Sequence, residues 1–186
     1  RLEDLTSEDI VVLSGSLAPS LPADFYKQLL PTIVEKGASF AVDTTGKALL
    51  ETIPYKPLVI KPNHHELADL FDIKIESKEQ LFECAKKLLD MGAQNVIVSM
   101  ASEGGYLITS DHIYHGIPAV GKVVNSVGAG DSMLAGFVGT YTMTKDVIES
   151  FKVGMACGAA TAFTEDIAIK EQIDAIYPQI GVETII

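Results

Sequence analysis

Clusters of positive charge are missing from this chain. Lys and Arg number 14 against 25 Asp and Glu, a formal net charge of −11, and no Lys/Arg run occurs along the 186 residues. Nucleic acid needs clustered cations on its partner, so no nucleic-acid partner is expected. Cysteine is scarce as well. Cys84 and Cys157 are the only two, each in a helix-like stretch with small or apolar neighbours, which is the setting of buried thiols and not of a disulfide framework. A reducing, cytoplasmic setting fits. Long apolar runs are absent: the most apolar stretch, 153–163, contains Gly154, Gly158 and Thr161 and is too short to cross a bilayer. It reads as a buried helix, and no membrane partner is expected. No internal repeat, low-complexity linker or signal peptide is visible. The chain opens on Arg1 and not on Met, and the expectation is that something upstream is missing.

What is present suffices for a sizeable core, since 47% of the residues are hydrophobic. One α/β domain over 1–186 is expected. Ile10-Val11-Val12-Leu13, Phe40-Ala41-Val42, Leu58-Val59-Ile60 and Val96-Ile97-Val98 are short, continuous and rich in β-branched residues, as buried parallel strands tend to be. Between them, 24–36 carries Phe25, Leu29 and Ile33 on one stripe, and 78–91 carries Leu81, Phe82, Ala85, Leu88 and Leu89 on one face. Gly37 and Gly92 stand where such helices close. The alternation predicts a doubly wound, mostly parallel sheet with helices on both faces. After Val98 the pattern changes. Segments 105–109 and 112–115 read as a hairpin turned by Ser110-Asp111, which would add antiparallel edges, and it leads to a strand over 122–124. Helices are expected over 131–141, 145–163 and 170–177.

The most informative string is Val123-Val124-Asn125-Ser126-Val127-Gly128-Ala129-Gly130-Asp131-Ser132-Met133-Leu134-Ala135-Gly136-Phe137. It reads as a strand joined to a helix by a glycine turn that ends in an acid. Gly128 and Gly130 let backbone N–H groups approach a ligand, and the first turn of the helix offers unpartnered N–H groups and the positive end of its dipole. Phosphate is the natural occupant. Asp131 would repel a phosphate that was merely bound, so its place is better explained if it takes the proton from a hydroxyl attacking phosphorus. The plainer reading is a tight connection with Asp131 as a dipole partner.

This string closely resembles the C-terminal signature of the PfkB-type, ribokinase-like carbohydrate kinases. The resemblance implies that Gly128, Ala129 and Gly130 form an anion hole and that Asp131 is the catalytic base. Lys61-Pro62-Asn63-His64-His65-Glu66 follows the third strand. Read locally, Asn63 and Glu66 make a helix capping pair; by resemblance they form the family's Mg²⁺-associated motif, acting through water, with Lys61 on the nucleotide side. Ser99-Met100-Ala101-Ser102-Glu103-Gly104 resembles the nucleotide loop of the family, which puts Ser99, Ser102 and Gly104 near the ATP phosphates. Ala101 replaces the middle glycine of that loop. Ser14-Gly15-Ser16-Leu17 resembles a sugar-phosphate loop, with Ala18 in place of a proline and Pro19 next. Asp43-Thr44-Thr45-Gly46 resembles a segment of the hexose-phosphate branch and also reads as a helix cap. His64, His65, His112 and His115 lack the partners of a zinc site.

The resemblance runs from Ile10 to about Tyr177, and with Ala162-Phe163-Thr164-Glu165-Asp166 it points to the branch acting on ketohexose phosphates. It implies MgATP-dependent phosphoryl transfer to fructose 1-phosphate, with tagatose 6-phosphate as the alternative acceptor, in a homodimeric parent protein. Nothing before Arg1 supplies the sugar-binding signature and lid of the family. A nucleotide-side fragment without catalysis is therefore the competing expectation.

Overall fold

The structure, a computed structural model, describes residues 2–18 and 20–186; Arg1 and Pro19 lie outside the described residues. It divides into two compact units. The first runs to Val98 and adds Ile108–Asp111, and the second comprises Ser99–Leu107 and His112–Ile186.

The first unit alternates strand and helix as the apolar periods require. Its strands are β1 (Ile10–Ser14), β2 (Ser39–Asp43), β3 (Val59–Ile60) and the start of β4 (Val96–Ser99). They run parallel, with Val12 opposite Ala41, Ala41 opposite Val59, and Ile60 opposite Val96. Helices α1 (Phe25–Glu35), α2 (Gly46–Thr52), α3 (His64–Leu70) and α4 (Lys78–Asp90) fill the intervals. In α4 the buried face is Leu81, Phe82, Cys84, Ala85 and Leu88, close to the sequence reading, and Ser77 caps it by accepting from Gln80 N–H. In α1 the buried face is turned by one residue from the expected stripe: Tyr26, Leu30 and Ile33 are buried, while Phe25 and Leu29 are half-exposed. The cause is polar. The Tyr26 hydroxyl donates to the carbonyl oxygens of Ser14 and Gly15, at 2.7 and 3.1 Å, drawing its ring inward. Gly37 and Gly92 end α1 and α4 with φ of 73° and 131°.

The second unit begins at the end of β4 and contains β5 (Gly105–Ile108, its last residue in the first unit), β6 (Ile113–Ile117), α5 (Ala129–Thr144), α6 (Val147–Ala162), α7 (Lys170–Ile176) and β7 (Gly181–Thr184). The expected strand over 122–124 does not form. Val123 is 57% exposed, and the N–H groups of Val124 and Asn125 donate instead to Ala162 O at the end of α6. Its β-branched residues carry strand propensity, but the last carbonyl of a neighbouring helix takes the hydrogen bonds that a strand would need. The expected hairpin forms as β5 and β6, which are hydrogen-bonded neighbours, and β7, which the sequence reading did not include, pairs antiparallel with β6 so that His115 faces Glu183.

Helices α5 and α6 meet along a seam of glycines. A Cβ on Gly136 would lie 2.6 Å from Cys157 Sγ, one on Gly154 2.7 Å from Met133 O, and one on Gly158 3.0 Å from Ala129 O. The small-residue stretch is thus explained by close backbone approach. Gly154→Ala is expected to cost about 1–3 kcal/mol, because main chain has to move. Gly139→Ala in the same pair of helices meets nothing within 4 Å and should gain roughly 0.5–1 kcal/mol. Denaturant melts of both variants check the seam, and equal effects would remove it as the reason for the glycines.

Candidate functional site

In the second unit the residues 125–132 build a turn that launches α5. Asn125 Oδ1 accepts from Val127 N–H at 3.0 Å, and Ala129 N–H donates to Ser126 O at 3.2 Å. Gly128 then takes φ 79°, ψ −6°, the left-handed conformation, as the N-cap residue of α5. It offers no side chain to cap the helix. The first-turn amides beyond it belong to the group that an α-helix leaves without intrahelical partners, and they carry the positive end of the dipole. Asp131 is exposed and is the acidic residue of this first turn. Gly128 thus caps α5 and Ala129, Gly130 and Asp131 form its first turn, although a strand does not lead into them.

The start of α5 is held from α6. Thr161 Oγ1 donates to Ser132 Oγ at 3.0 Å and also accepts from Ala168 N–H at 3.2 Å. Burial pushes the Cys157 thiol up from its ordinary value, and its sulfur packs beside Gly136.

The other predicted loop of this unit, Ser99 to Gly104, is a tight turn. Met100 N–H donates to Gly104 O at 2.9 Å, Glu103 N–H to Met100 O at 3.0 Å, and Gly104 N–H to Ala101 O at 3.1 Å. Ala101 has φ 49°, so the residue that replaces a glycine keeps the conformation a glycine would hold freely. For an L-residue that costs roughly 1–2 kcal/mol. Gly104, at φ 86°, is fixed twice over, since a Cβ there would stand 2.1 Å from Gly116 O. Ser102 is exposed and Ser99 half-buried.

In the first unit, Lys61, Asn63 and Glu66 follow β3. The Lys61 side chain is only 7% exposed, and its Nζ lies 3.1 Å from Oδ2 of Asp43 at the end of β2. Parallel pairing of β2 with β3 puts the two ends side by side. Asp43 thus faces Lys61, while Thr45 takes the N-cap position of α2 without a side-chain cap bond. Sequence reasoning treated Asp43 and Lys61 separately; the signal for pairing them was opposite charges ending consecutive strands.

Asn63 and Glu66 form the capping box that the local reading gave. Asn63 Oδ1 accepts from the N–H groups of His65 and Glu66, each at 2.9 Å, and Glu66 Oε2 accepts from Asn63 N–H at 2.8 Å. Among the described residues no group of three or more His, Cys, Asp or Glu is placed to hold a metal ion. Likewise, among the described residues no helix is long and apolar enough to cross a membrane.

Parallel strands with loops at their carboxyl ends are characteristic of ligand-holding α/β proteins. Residues 1–172 match the pfkB family carbohydrate kinase profile, and the chain belongs to that family. It is 40% identical over 182 residues to the 1-phosphofructokinase of Bacillus subtilis (strain 168), covering 98% of this chain and 60% of that protein. It is 35% identical over 183 residues to the D-tagatose-1-phosphate kinase of Bacillus licheniformis, again covering 98% of this chain and 60% of the relative. The crystal structure of Escherichia coli phosphofructokinase-2 in complex with substrates and products matches with a TM-score of 0.89 at 26% identity, over 95% of this chain and 59% of that one. The chain spans about 60% of the length of the relatives it matches.

Two substitutions test the loop after β4. Gly104→Ala is expected to lower stability by about 3 kcal/mol, from backbone strain and overpacking together. Ala101→Gly relieves strain but frees the unfolded chain, for a net gain of about 0.5–1 kcal/mol. Chemical denaturation measures both, and a loss of stability in Ala101→Gly would show that position 101 is not strained.

Proposed function

We propose that this chain is the nucleotide-side portion of a sugar-phosphate kinase, transferring the γ-phosphoryl group of ATP to a hydroxyl of a ketohexose phosphate. One observation carries the reading: α5 opens on Gly128 in the left-handed conformation with no side-chain cap, and Asp131 stands exposed in its first turn. Of the assigned anion hole Gly128, Ala129 and Gly130, the amides of Gly128 and Gly130 supply donors for phosphoryl oxygens, while Ala129 N–H donates to Ser126 O and holds the turn; Asp131 accepts the proton of the attacking hydroxyl. Ser99, Ser102 and Gly104 line the phosphates of ATP. Lys61, whose charge is paired with Asp43, is assigned to the nucleotide side.

Mg²⁺ belongs to the same proposal. Asn63 and Glu66 fit a hydrated ion, because a carboxylate that already accepts one N–H bond still has acceptor capacity and Mg²⁺ usually retains several waters beside one or two carboxylates. When bound, the ion would neutralise phosphate charge. Fructose 1-phosphate is the first acceptor to try, on the identity with a protein named 1-phosphofructokinase. The second is D-tagatose 1-phosphate, which replaces tagatose 6-phosphate because the relative's name specifies the 1-phosphate. A homodimeric parent protein in the cytoplasm completes the reading.

The test is ATP consumption by the chain with Mg²⁺, with and without each sugar phosphate. Sugar-dependent turnover means that the chain completes its own sugar site, and the preferred sugar then sets the substrate; the chain by itself is not required to be active. Nucleotide binding with no turnover in folded protein would favour a fragment that holds ATP but lacks a sugar site. Where turnover is present, Asp131→Asn should reduce kcat by roughly 10²–10⁴-fold and leave ATP affinity within about twofold, since Asp131 is assigned to the acceptor hydroxyl and not to the nucleotide. Undiminished kcat in that variant would remove Asp131 from the mechanism.

A further inference from the structure

His115 sits within β6, and both of its ring nitrogens face oxygen atoms that only accept. Nδ1 lies 3.2 Å from Oε1 of Glu183 on β7, and Nε2 lies 3.2 Å from the main-chain carbonyl oxygen of Glu103. The strand register puts His115 directly opposite Glu183. The ring also stacks on Tyr106 of β5, with centroids 4.9 Å apart and planes 28° from parallel.

Turning the ring over exchanges the two nitrogens without changing the character of their partners. A neutral imidazole has one N–H and one lone pair, so one of these contacts would set lone pair against lone pair. Only the imidazolium donates at both ends, and the bond to the carboxylate is then charge-assisted. The His115 side chain is 20% exposed and that of Glu183 55%. Water therefore screens the pair in part.

Glu103 closes the turn that contains Ala101 and Ser102. The neighbouring Gly104 is already wedged against Gly116 O. The loop after β4 thus has a packing anchor at Gly104 and a proton-dependent anchor at the carbonyl of Glu103. We propose that His115 is a positioning residue: as the imidazolium it clamps the Ser99 to Gly104 loop to β7, and the clamp is released when the ring becomes neutral. Among the described residues, the titratable side chains against the ring are Glu183 from β7 and Tyr106 from β5, while Glu103 presents its main-chain oxygen. The consequence for ATP rests on the reading of this loop as the nucleotide loop.

The sign follows from the hydrogen-bond pattern. Both bonds exist on the acid side; a neutral ring keeps one, and because the Glu183 carboxylate is the stronger acceptor, the bond to the Glu103 carbonyl is the one lost with the proton. ATP also changes protonation with pH, so an internal control is needed, and Glu183→Gln provides it: an amide N–H can donate to the neutral ring nitrogen, keeping both contacts without the charge.

The experiment measures MgATP affinity of the chain by calorimetry at about pH 6 and about pH 8.5, in wild type and Glu183→Gln. Amide-exchange protection of Glu103 and Gly104 is followed in parallel. Wild type is expected to lose roughly two- to fivefold more affinity than the variant as pH rises, the range set by partly exposed ion pairs. Protection at Glu103 and Gly104 should fall in wild type alone. Identical pH dependence of affinity and of protection in the two proteins would overturn the clamp. Absence of ATP binding at either pH, with the protection difference intact, would instead overturn the nucleotide reading of the loop and leave the clamp standing.

Discussion

The close approach of α5 and α6 is the constraint on which the second unit depends. Gly136, Gly154 and Gly158 bring main chain to main chain where any Cβ would collide, and this seam sets more than packing density. Gly158 lies against the carbonyl of Ala129, the first residue of α5, and Thr161 bonds to Ser132 one turn further on. The helix start that offers its amides is therefore held by its neighbour and not by its own cap. A flexible N-terminus would have to be ordered on each binding event. Here that ordering is completed in folding, which would preorganise the donors of the proposed function.

In the first unit the same end is reached by polar means. Its parallel strands end in residues that neutralise one another, Asp43 with Lys61, and its third helix opens on a complete capping box at Asn63 and Glu66. A buried Lys is costly unless its charge is paired, so the salt bridge between the ends of β2 and β3 fixes where the following loop departs. The capping box then orients the first turn of α3. Glu66 thus meets a structural need of its own, and any part in holding a hydrated metal is added to that need.

Much of this was legible in the sequence because the signals were local. The apolar β-branched runs gave β1 to β4, the helix-closing glycines gave the ends of α1 and α4, and the Gly128 to Asp131 string gave a helix start with an acid in its first turn. What was not legible depended on partners remote in sequence. Residues 122–124 carry the propensity of a strand, but Ala162 O takes the N–H groups of Val124 and Asn125. The inward face of α1 turned by a residue because a tyrosine hydroxyl found the carbonyls that follow β1. Strand β7 was missed although Val182 and Thr184 alternate with Gly181 and Glu183, a signal too short to stand out without its partner β6.

Ala101 joins the two kinds of information. The sequence marks it as a departure from the glycine of the family loop, and on that ground alone a looser turn would be expected. The structure keeps the turn and leaves the alanine at φ 49°. A strained residue persists only where its surroundings over-determine it. The surroundings here are the hydrogen bonds between Met100 and Gly104, the contact of Gly104 with Gly116, and the bond from His115 to Glu103. Of these, only the last is made by an ionisable group, so strain at Ala101 and protonation at His115 act on the same three-residue turn. A glycine at position 101 would need less support from its neighbours, and the alanine makes this loop more dependent on the imidazole than a loop with the glycine would be.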